Sequence, residues 1–157
     1  ALKTIIVLSD THGNRNFFDT VGTVLAESDY IIHLGDTSAD GREILKKYPD
    51  KTVVINGNCD PFKLGDNEKV LEVEGVKIFA CHGHRYSVKQ TLAKLAARAK
   101  ELNCNIALYG HTHDAREDEI DGVTLLNPGT GSRYSQKSYL YIVINSGKSV
   151  HKIVPVT

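Results

Sequence analysis

Histidines and aspartates in this 157-residue chain gather into five short runs. They are Asp10-Thr11-His12-Gly13, Gly35-Asp36, Gly57-Asn58-Cys59-Asp60, His82-Gly83-His84 and Gly110-His111-Thr112-His113. Each run closes a stretch of apolar, β-branched residues, and five of the chain's seven histidines fall inside them. Packing gives no reason to end five strands in metal-ligating side chains. Convergence of those strand ends on one polynuclear metal site does.

The apolar stretches read as strands at Thr4–Ser9, Tyr30–Leu34, Thr52–Asn56, Val76–Cys81, Ile106–Tyr109, Thr124–Asn127, Tyr139–Asn145 and Ser149–Val154. Several are near-continuous rather than alternating, as strands covered on both faces should be. Between them lie amphipathic helical patterns. Phe17, Phe18, Val21, Val24 and Leu25 recur at spacings of three and four; Ala39–Tyr48 carries Ile44 and Leu45 and ends before Pro49; Val88–Leu102 places Leu92, Leu95, Ala96, Ala99 and Leu102 on one stripe. The order is strand, helix, strand, helix, strand, then a strand pair, helix, strand and closing antiparallel strands. It predicts an α/β (α+β) layered fold with parallel character in its first half. Asn145-Ser146-Gly147-Lys148 reads as a hairpin turn and Pro61–Asn67 as a loop.

At 157 residues the chain suits one domain, 1–157, with a real core. Lys plus Arg and Asp plus Glu both number 19, so the formal net charge is zero. That argues against strong nucleic-acid binding or adhesion to an anionic membrane. The first residues run straight into a strand, which leaves no room for a signal peptide. No apolar run approaches the roughly 20 residues of a membrane span. The three cysteines, Cys59, Cys81 and Cys104, are odd in number and form no C-x-x-C pattern, which points to a reducing cytoplasm.

Ligands of parallel α/β sheets collect beyond the carboxyl ends of strands, where Asp10, Asp36, Asn58, His82 and His111 are predicted to lie. Asp10 and His12 are two residues apart, as are His111 and His113, a spacing that aims both side chains to one side of extended backbone. Mixed oxygen and nitrogen ligands suit Mn²⁺, Fe, Co, Ni or Zn²⁺. The donors are too many for one ion, so two divalent transition-metal ions are expected, Mn²⁺ first among them.

In order and type the five runs resemble the calcineurin-like metallophosphoesterase superfamily, whose pattern is D-x-H, G-D, G-N-H-[DE], a histidine motif and G-H-[ST]-H. The compact length and the Asn127-Pro128-Gly129 loop are similar to its small YfcE-like phosphodiesterase branch. The resemblance implies a layered α-β-β-α sandwich of mixed sheets flanked by helices. It implies one metal held by Asp10, His12, Asp36 and His113, a second held by Asp36, Asn58, His82 and His111, and Asp36 bridging both. It further implies a phosphodiesterase that hydrolyses a small or accessible diester through a metal-bridging hydroxide. The Asn127-Pro128-Gly129 loop would line the site.

One position departs from the pattern. The superfamily places a histidine proton donor after the asparagine, where this chain has Cys59. A thiol is a weak donor. The enzyme is then expected to favour good leaving groups, or to take a donor such as His84. Asn58 could orient a substrate oxygen through its amide.

Two other functions compete. The superfamily includes the small retromer subunit, a protein-interaction scaffold with an eroded site; survival of all seven proposed ligands here favours an enzyme. A phosphomonoesterase would lean on the missing histidine and on arginine contacts. Blander readings apply elsewhere. His33 reads as a core histidine, His151 as an ordinary strand residue, and Cys81 and Cys104 as small apolar packing groups. His84 either supports a ligand or faces substrate. Arg15 and Arg133 either contact phosphate or are solvated. Lys89, Lys94, Arg98 and Lys100 are the wet side of their helix. Tyr134, Tyr139 and Tyr141 face either the core or a partner subunit in a homo-oligomer.

Overall fold

The computed structural model describes residues 2–60 and 65–157. Its strands are β1 (Leu2–Leu8), β2 (Tyr30–His33), β3 (Thr52–Val54), β4 (Glu68–Val73), β5 (Val76–Cys81), β6 (Ile106–Leu108), β7 (Arg116–Ile120), β8 (Val123–Asn127), β9 (Lys137–Asn145) and β10 (Lys148–Val156). Its helices are α1 (Arg15–Glu27), α2 (Ser38–Lys47) and α3 (Ala93–Glu101), with a 3-10 turn at His84–Tyr86. The strands form two mixed five-stranded sheets, ordered β10-β9-β1-β2-β3 and β4-β5-β6-β8-β7.

Side-chain alternation along β1 explains the layering. Ile5 and Val7 point between the sheets and meet Ile32, Ile78, Ile106, Leu126 and Ile142. Ile6 and Leu8 point the other way, onto Phe17, Val21 and Leu25 of α1 and Ile44 of α2. On the second sheet Phe79, Ala107 and Leu125 face outward onto Leu95, Ala96 and Ala99 of α3. The result is the expected α-β-β-α sandwich. Covering β1 on both faces is why its sequence is continuously apolar.

β1, β2 and β3 run parallel, as do β5, β6 and β8. Their carboxyl ends therefore open at one edge of the sandwich. The closing hairpin turns at Ser146 (φ 49°) and Gly147 (φ 79°), the paired positive values that fit two twisted strands.

Two readings need correction, and a third lies mostly outside the described residues. β4 and β7 are absent from the strand candidates. β7, Arg-Glu-Asp-Glu-Ile, is an edge strand whose charges stay in solvent, so its sequence carries no apolar signal; β4 is the opposite edge strand, with Val70 left exposed. The third helix is shorter than Val88–Leu102. Ser87 takes a left-handed conformation (φ 55°), residues 88–92 turn, and the Thr91 hydroxyl accepts the Ala93 N–H where the helix begins. The loop expected over Pro61–Asn67 lies, for residues 61–64, outside the described residues; Asp66 bridges to Ile55. No helix among the described residues is long and apolar enough to cross a membrane.

Candidate metal centre

The loops after β1, β2, β3, β5 and β6 meet at the open edge. His113 Nε2 lies 3.1 Å from Asp10 Oδ1, and His82 Nε2 lies 3.9 Å from the same oxygen and 3.4 Å from Asp36 Oδ2. Two ligand-like groups result among the described residues, Asp10–His12–His113 and Asp10–Asp36–His82, with Asp10 common to both. The rings of His12 and His113 are 5.4 Å apart on one side. On the other, His82 lies 5.1 Å from His111 and 5.5 Å from His84. Asn58 joins this second cluster, its Oδ1 3.1 Å from His111 Nδ1. Cys59 is exposed, and its backbone N–H donates to Asp36 Oδ1 at 2.9 Å.

Five proposed ligands, Asp10, His12, Asp36, His111 and His113, have φ between 45° and 70°. L-residues pay for this left-handed conformation, and its repetition at one edge marks backbone bent to aim side chains inward. Asp10 and His82 are buried, yet Asp10 Oδ1 and His82 Nε2 have no hydrogen-bond partner among the described residues. An unsatisfied buried carboxylate oxygen facing an unsatisfied imidazole nitrogen is costly unless something else binds both. A divalent cation fits that gap, and the oxygen–nitrogen donor set suits a transition metal.

Charge is arranged accordingly. Burial opposes ionisation of Asp10, but His113, His82, Ser9 and the His111 N–H together hold its carboxyl below the usual carboxylate range. Burial likewise opposes Asp36, and His82 with the Cys59 N–H outweighs it, leaving the carboxyl well below that range. Asp10 pushes His113 up; burial works against a proton on His82, but Asp36 and Asp10 overcome it. Burial and then His82 push both His111 and His84 down. The site therefore holds two carboxylates, two imidazoles that bind a proton more tightly than usual and two that bind it less tightly.

A sequence model of the calcineurin-like phosphoesterase superfamily domain matches residues 4–148. The chain belongs to that superfamily. Among its relatives, a probable metallophosphoesterase of Bacillus subtilis, YsnB, is 34% identical over 128 residues, covering 80% of this chain and 73% of that protein. Phosphodiesterase MJ0936 of Methanocaldococcus jannaschii is 34% identical over 59 residues, 38% of this chain and 32% of its own. The crystal structure of a "predicted phosphoesterase" of Streptococcus pneumoniae superposes with a TM-score of 0.83 at 25% identity, covering 99% of this chain and 90% of that one. Zinc-complexed Vps29 of Entamoeba histolytica shares the fold (TM-score 0.77, 22% identity, 97% and 98% covered).

The loops are braced by residues outside the proposed ligand set. Asp60 accepts from the N–H groups of Asp36 (3.1 Å), Ser38 (2.8 Å) and Gly57 (2.7 Å), fixing the β2 and β3 loops together. Ser9 Oγ donates to Asp10 Oδ2 at 2.5 Å. Asn127 Nδ2 donates to Gly110 O and Thr112 Oγ1, and Thr130 Oγ1 donates to Asp10 O at 2.6 Å, so the Asn127-Pro128-Gly129 segment buttresses the centre from beneath. Asp60 closes the Gly57-Asn58-Cys59-Asp60 run and the Asn127-Pro128-Gly129 loop was expected at the site, while Ser9 had only its place before Asp10 to mark it.

Other residues fall away from the centre or take different parts. Cys81 and Cys104 pack in the α3-side core, and Tyr139 in the α1-side core, while Tyr134 is exposed. His151 Nε2 pairs with Glu117 at 2.6 Å, linking the edges of the two sheets. Arg15 lines a groove between α1 and α2 beside Gly13, and Arg133 is exposed. Lys89 is not on α3; it precedes the helix, and its charge reaches both His111 and His113.

Proposed function

We propose that this chain is a phosphodiesterase that works with two divalent cations, Mn²⁺ first among them, on a small or accessible diester. The observation that carries the reading is the pair of Asp–His groups sharing Asp10, with orphaned acceptor atoms on Asp10 and His82. We assign Asp10, His12, Asp36 and His113 to one ion and Asp36, Asn58, His82 and His111 to the other. The bridging part given to Asp36 follows the superfamily resemblance; in the structure the residue common to both groups is Asp10, and Asp36 stands with His82 in one of them.

When bound, such a cation pair supplies an activated water nucleophile and neutralises charge on phosphoryl oxygens. The chain supplies the rest. Asp10 and Asp36, both held ionised, balance the cations. Leu34 O accepts from His82 Nδ1, which fixes the tautomer that presents Nε2 to the centre. Asn58 turns its Oδ1 to His111, which leaves its NH₂ to donate to a phosphoryl oxygen. The Cys59 thiol, pushed up by burial and by Asp36, stays protonated and is a weak donor. His84, pushed down, is a poor proton reservoir near neutrality. A leaving group that departs without a proton is therefore favoured. The diester reading matches the name of the M. jannaschii relative, a phosphodiesterase.

The test is an assay of an aryl phosphodiester against the matching monoester after metal stripping and reloading with Mn²⁺, Ni²⁺ or Zn²⁺. Activity confined to the diester is expected. Activity on neither ester with any metal would move the assignment to an interaction module, the reading that the Vps29-like fold also accommodates.

A further inference from the structure

His33 is fully buried at the end of β2, and its ring sits between the loop that carries Asp10 and His12 and the loop that carries Asp36. The Gly35 N–H donates to His33 Nδ1 at 3.1 Å. A backbone N–H can only donate, so Nδ1 bears no proton and Nε2 bears the single one. Nε2 lies 2.9 Å from Thr11 Oγ1, which must accept from it. Thr11 Oγ1 then spends its own proton on Asp40 Oδ2, 2.6 Å away at the start of α2. The same carboxylate oxygen accepts the Gly13 N–H at 2.8 Å. Every donor in this series has one direction: Gly35 N–H to His33, His33 to Thr11, Thr11 to Asp40.

Two members of the relay flank proposed metal ligands. Thr11 stands between Asp10 and His12, and Gly35 precedes Asp36. The same two loops also share backbone bonds, Asp10 N–H to Gly35 O at 2.9 Å and His12 N–H to Asp36 O at 3.3 Å. These set how far apart the loops lie. The side-chain relay grips the Asp10–His12 segment at Thr11, which is buried like Asp10 beside it while His12 is exposed, so the Thr11 hydroxyl is a second inward anchor for the rotation of that segment. A charged His33 would break the series, since a proton on Nδ1 would face the Gly35 N–H.

We infer that the Gly35–His33–Thr11–Asp40 relay is a positioning device that holds Asp10, His12 and Asp36 in the geometry that binds cations. None of its side chains is a proposed ligand. The inference rests on the metal-centre reading, and its test reads metal affinity and fold separately.

Mn²⁺ binding to the metal-stripped full chain is titrated by calorimetry for the wild type, Thr11→Val, Thr11→Ser, Asp40→Ala and Asp40→Asn. Thermal melting is followed in chelator. Loss of orienting contacts around metal ligands costs about 10–100-fold in affinity. Thr11→Val keeps the side chain's shape and removes the hydroxyl, so a loss on that order is expected. Asp40→Ala, which breaks the series at its half-buried end, should weaken binding in the same direction should the valine variant fail to fold. Thr11→Ser and Asp40→Asn keep the needed acceptor or donor atoms and should restore affinity to within a few-fold of wild type. Wild-type Mn²⁺ affinity in a folded Thr11→Val or Asp40→Ala protein would overturn the relay's role. So would equal losses in the conservative and non-conservative pairs, which would mark a merely structural contact. A wild-type protein that takes up no metal would instead overturn the metal centre, and the relay's function with it.

Discussion

His82 and Leu34, from opposite sheets, are joined by a 2.8 Å contact between imidazole Nδ1 and the backbone carbonyl oxygen. The carbonyl can only accept, so Nε2 is left unprotonated in the neutral ring and faces Asp36 and Asp10. The orientation of a proposed ligand thus depends on the sheets meeting. It also depends on losing a proton. His82 and His113 both bind protons more tightly than the ordinary 6.5 because Asp36 and Asp10 surround them, against the opposing effect of burial. A cation must displace those protons. Mn²⁺ affinity should fall as pH falls through that raised range. Calorimetry near neutrality, in buffers of different ionisation enthalpy, should show net proton release; buffer-independent heats would contradict it.

Asp10 Oδ2 accepts from Ser9 Oγ and from the His111 N–H, so its other oxygen is aimed rather than free to rotate. Ser9→Ala removes one of those two guides. Metal affinity should drop about 10-fold or more, read as a weaker Mn²⁺ titration, with unfolding still cooperative.

Two glycines should respond oppositely to alanine. A Cβ at Gly57 would lie 2.1 Å from Asp36 Oδ1, so Gly57→Ala must displace that carboxylate and should lower both metal content and activity. A Cβ at Gly22, inside α1, would meet nothing within 4 Å. Gly22→Ala should raise stability by about 1 kcal/mol through helix propensity, measured as a higher denaturant midpoint with unchanged slope. Destabilisation there would mean the α1 surface is packed more tightly than the structure has it.

Burial pulls His33 down to about 4, against the attraction of Asp40, Asp10 and Asp60 and with the repulsion of His82. The unfolded chain, near 6.5, takes up the proton first. The sign follows: this contribution is complete above 6.5 and drains away as pH falls toward 4, by roughly 3 kcal/mol in all. In chelator, urea stability should decline between about pH 7 and 4.5 more steeply in wild type than in His33→Gln. Parallel declines would mean His33 does not stay neutral.

Cys59 occupies the position next to Asn58 at the mouth of the centre, exposed to solvent. Replacing it by histidine supplies a stronger proton donor. Turnover of alkyl-leaving-group diesters should then rise more in Cys59→His than turnover of aryl diesters, which need no proton. An equal change in both rates would show that protonation of the leaving group does not limit the reaction.

Much of the site was legible because its chemistry is local. A glycine beside an Asp, Asn or His at the end of an apolar run states both a strand end and a ligand type, so Asp10, Asp36, Asn58, His82 and His111 could be picked out one loop at a time. Strands covered on both faces announce themselves by continuous apolar residues, as β1 does. Edge strands do not: β7 keeps its charges in water and pairs on one side alone, so backbone hydrogen bonds to β8 and not side-chain burial make it a strand. Asp40 and Thr11 carried no such signal, because short polar side chains after strands serve as turn or cap residues in most folds.

The residue types and their order were enough to single out the candidate ligands, the layered architecture and the superfamily, since each depends on what a side chain is and on the order and period at which it recurs. Tertiary structure alone decided the distances. That Asp10 Oδ1 faces His113 and His82, that a Leu34 carbonyl sets the His82 tautomer, and that His33 clamps Thr11 to Gly35 are consequences of two sheets packing over a shared core. Those contacts join residues as far as 103 positions apart. No local pattern encodes them, because their geometry is the sum of many burial contacts and belongs to none of them singly.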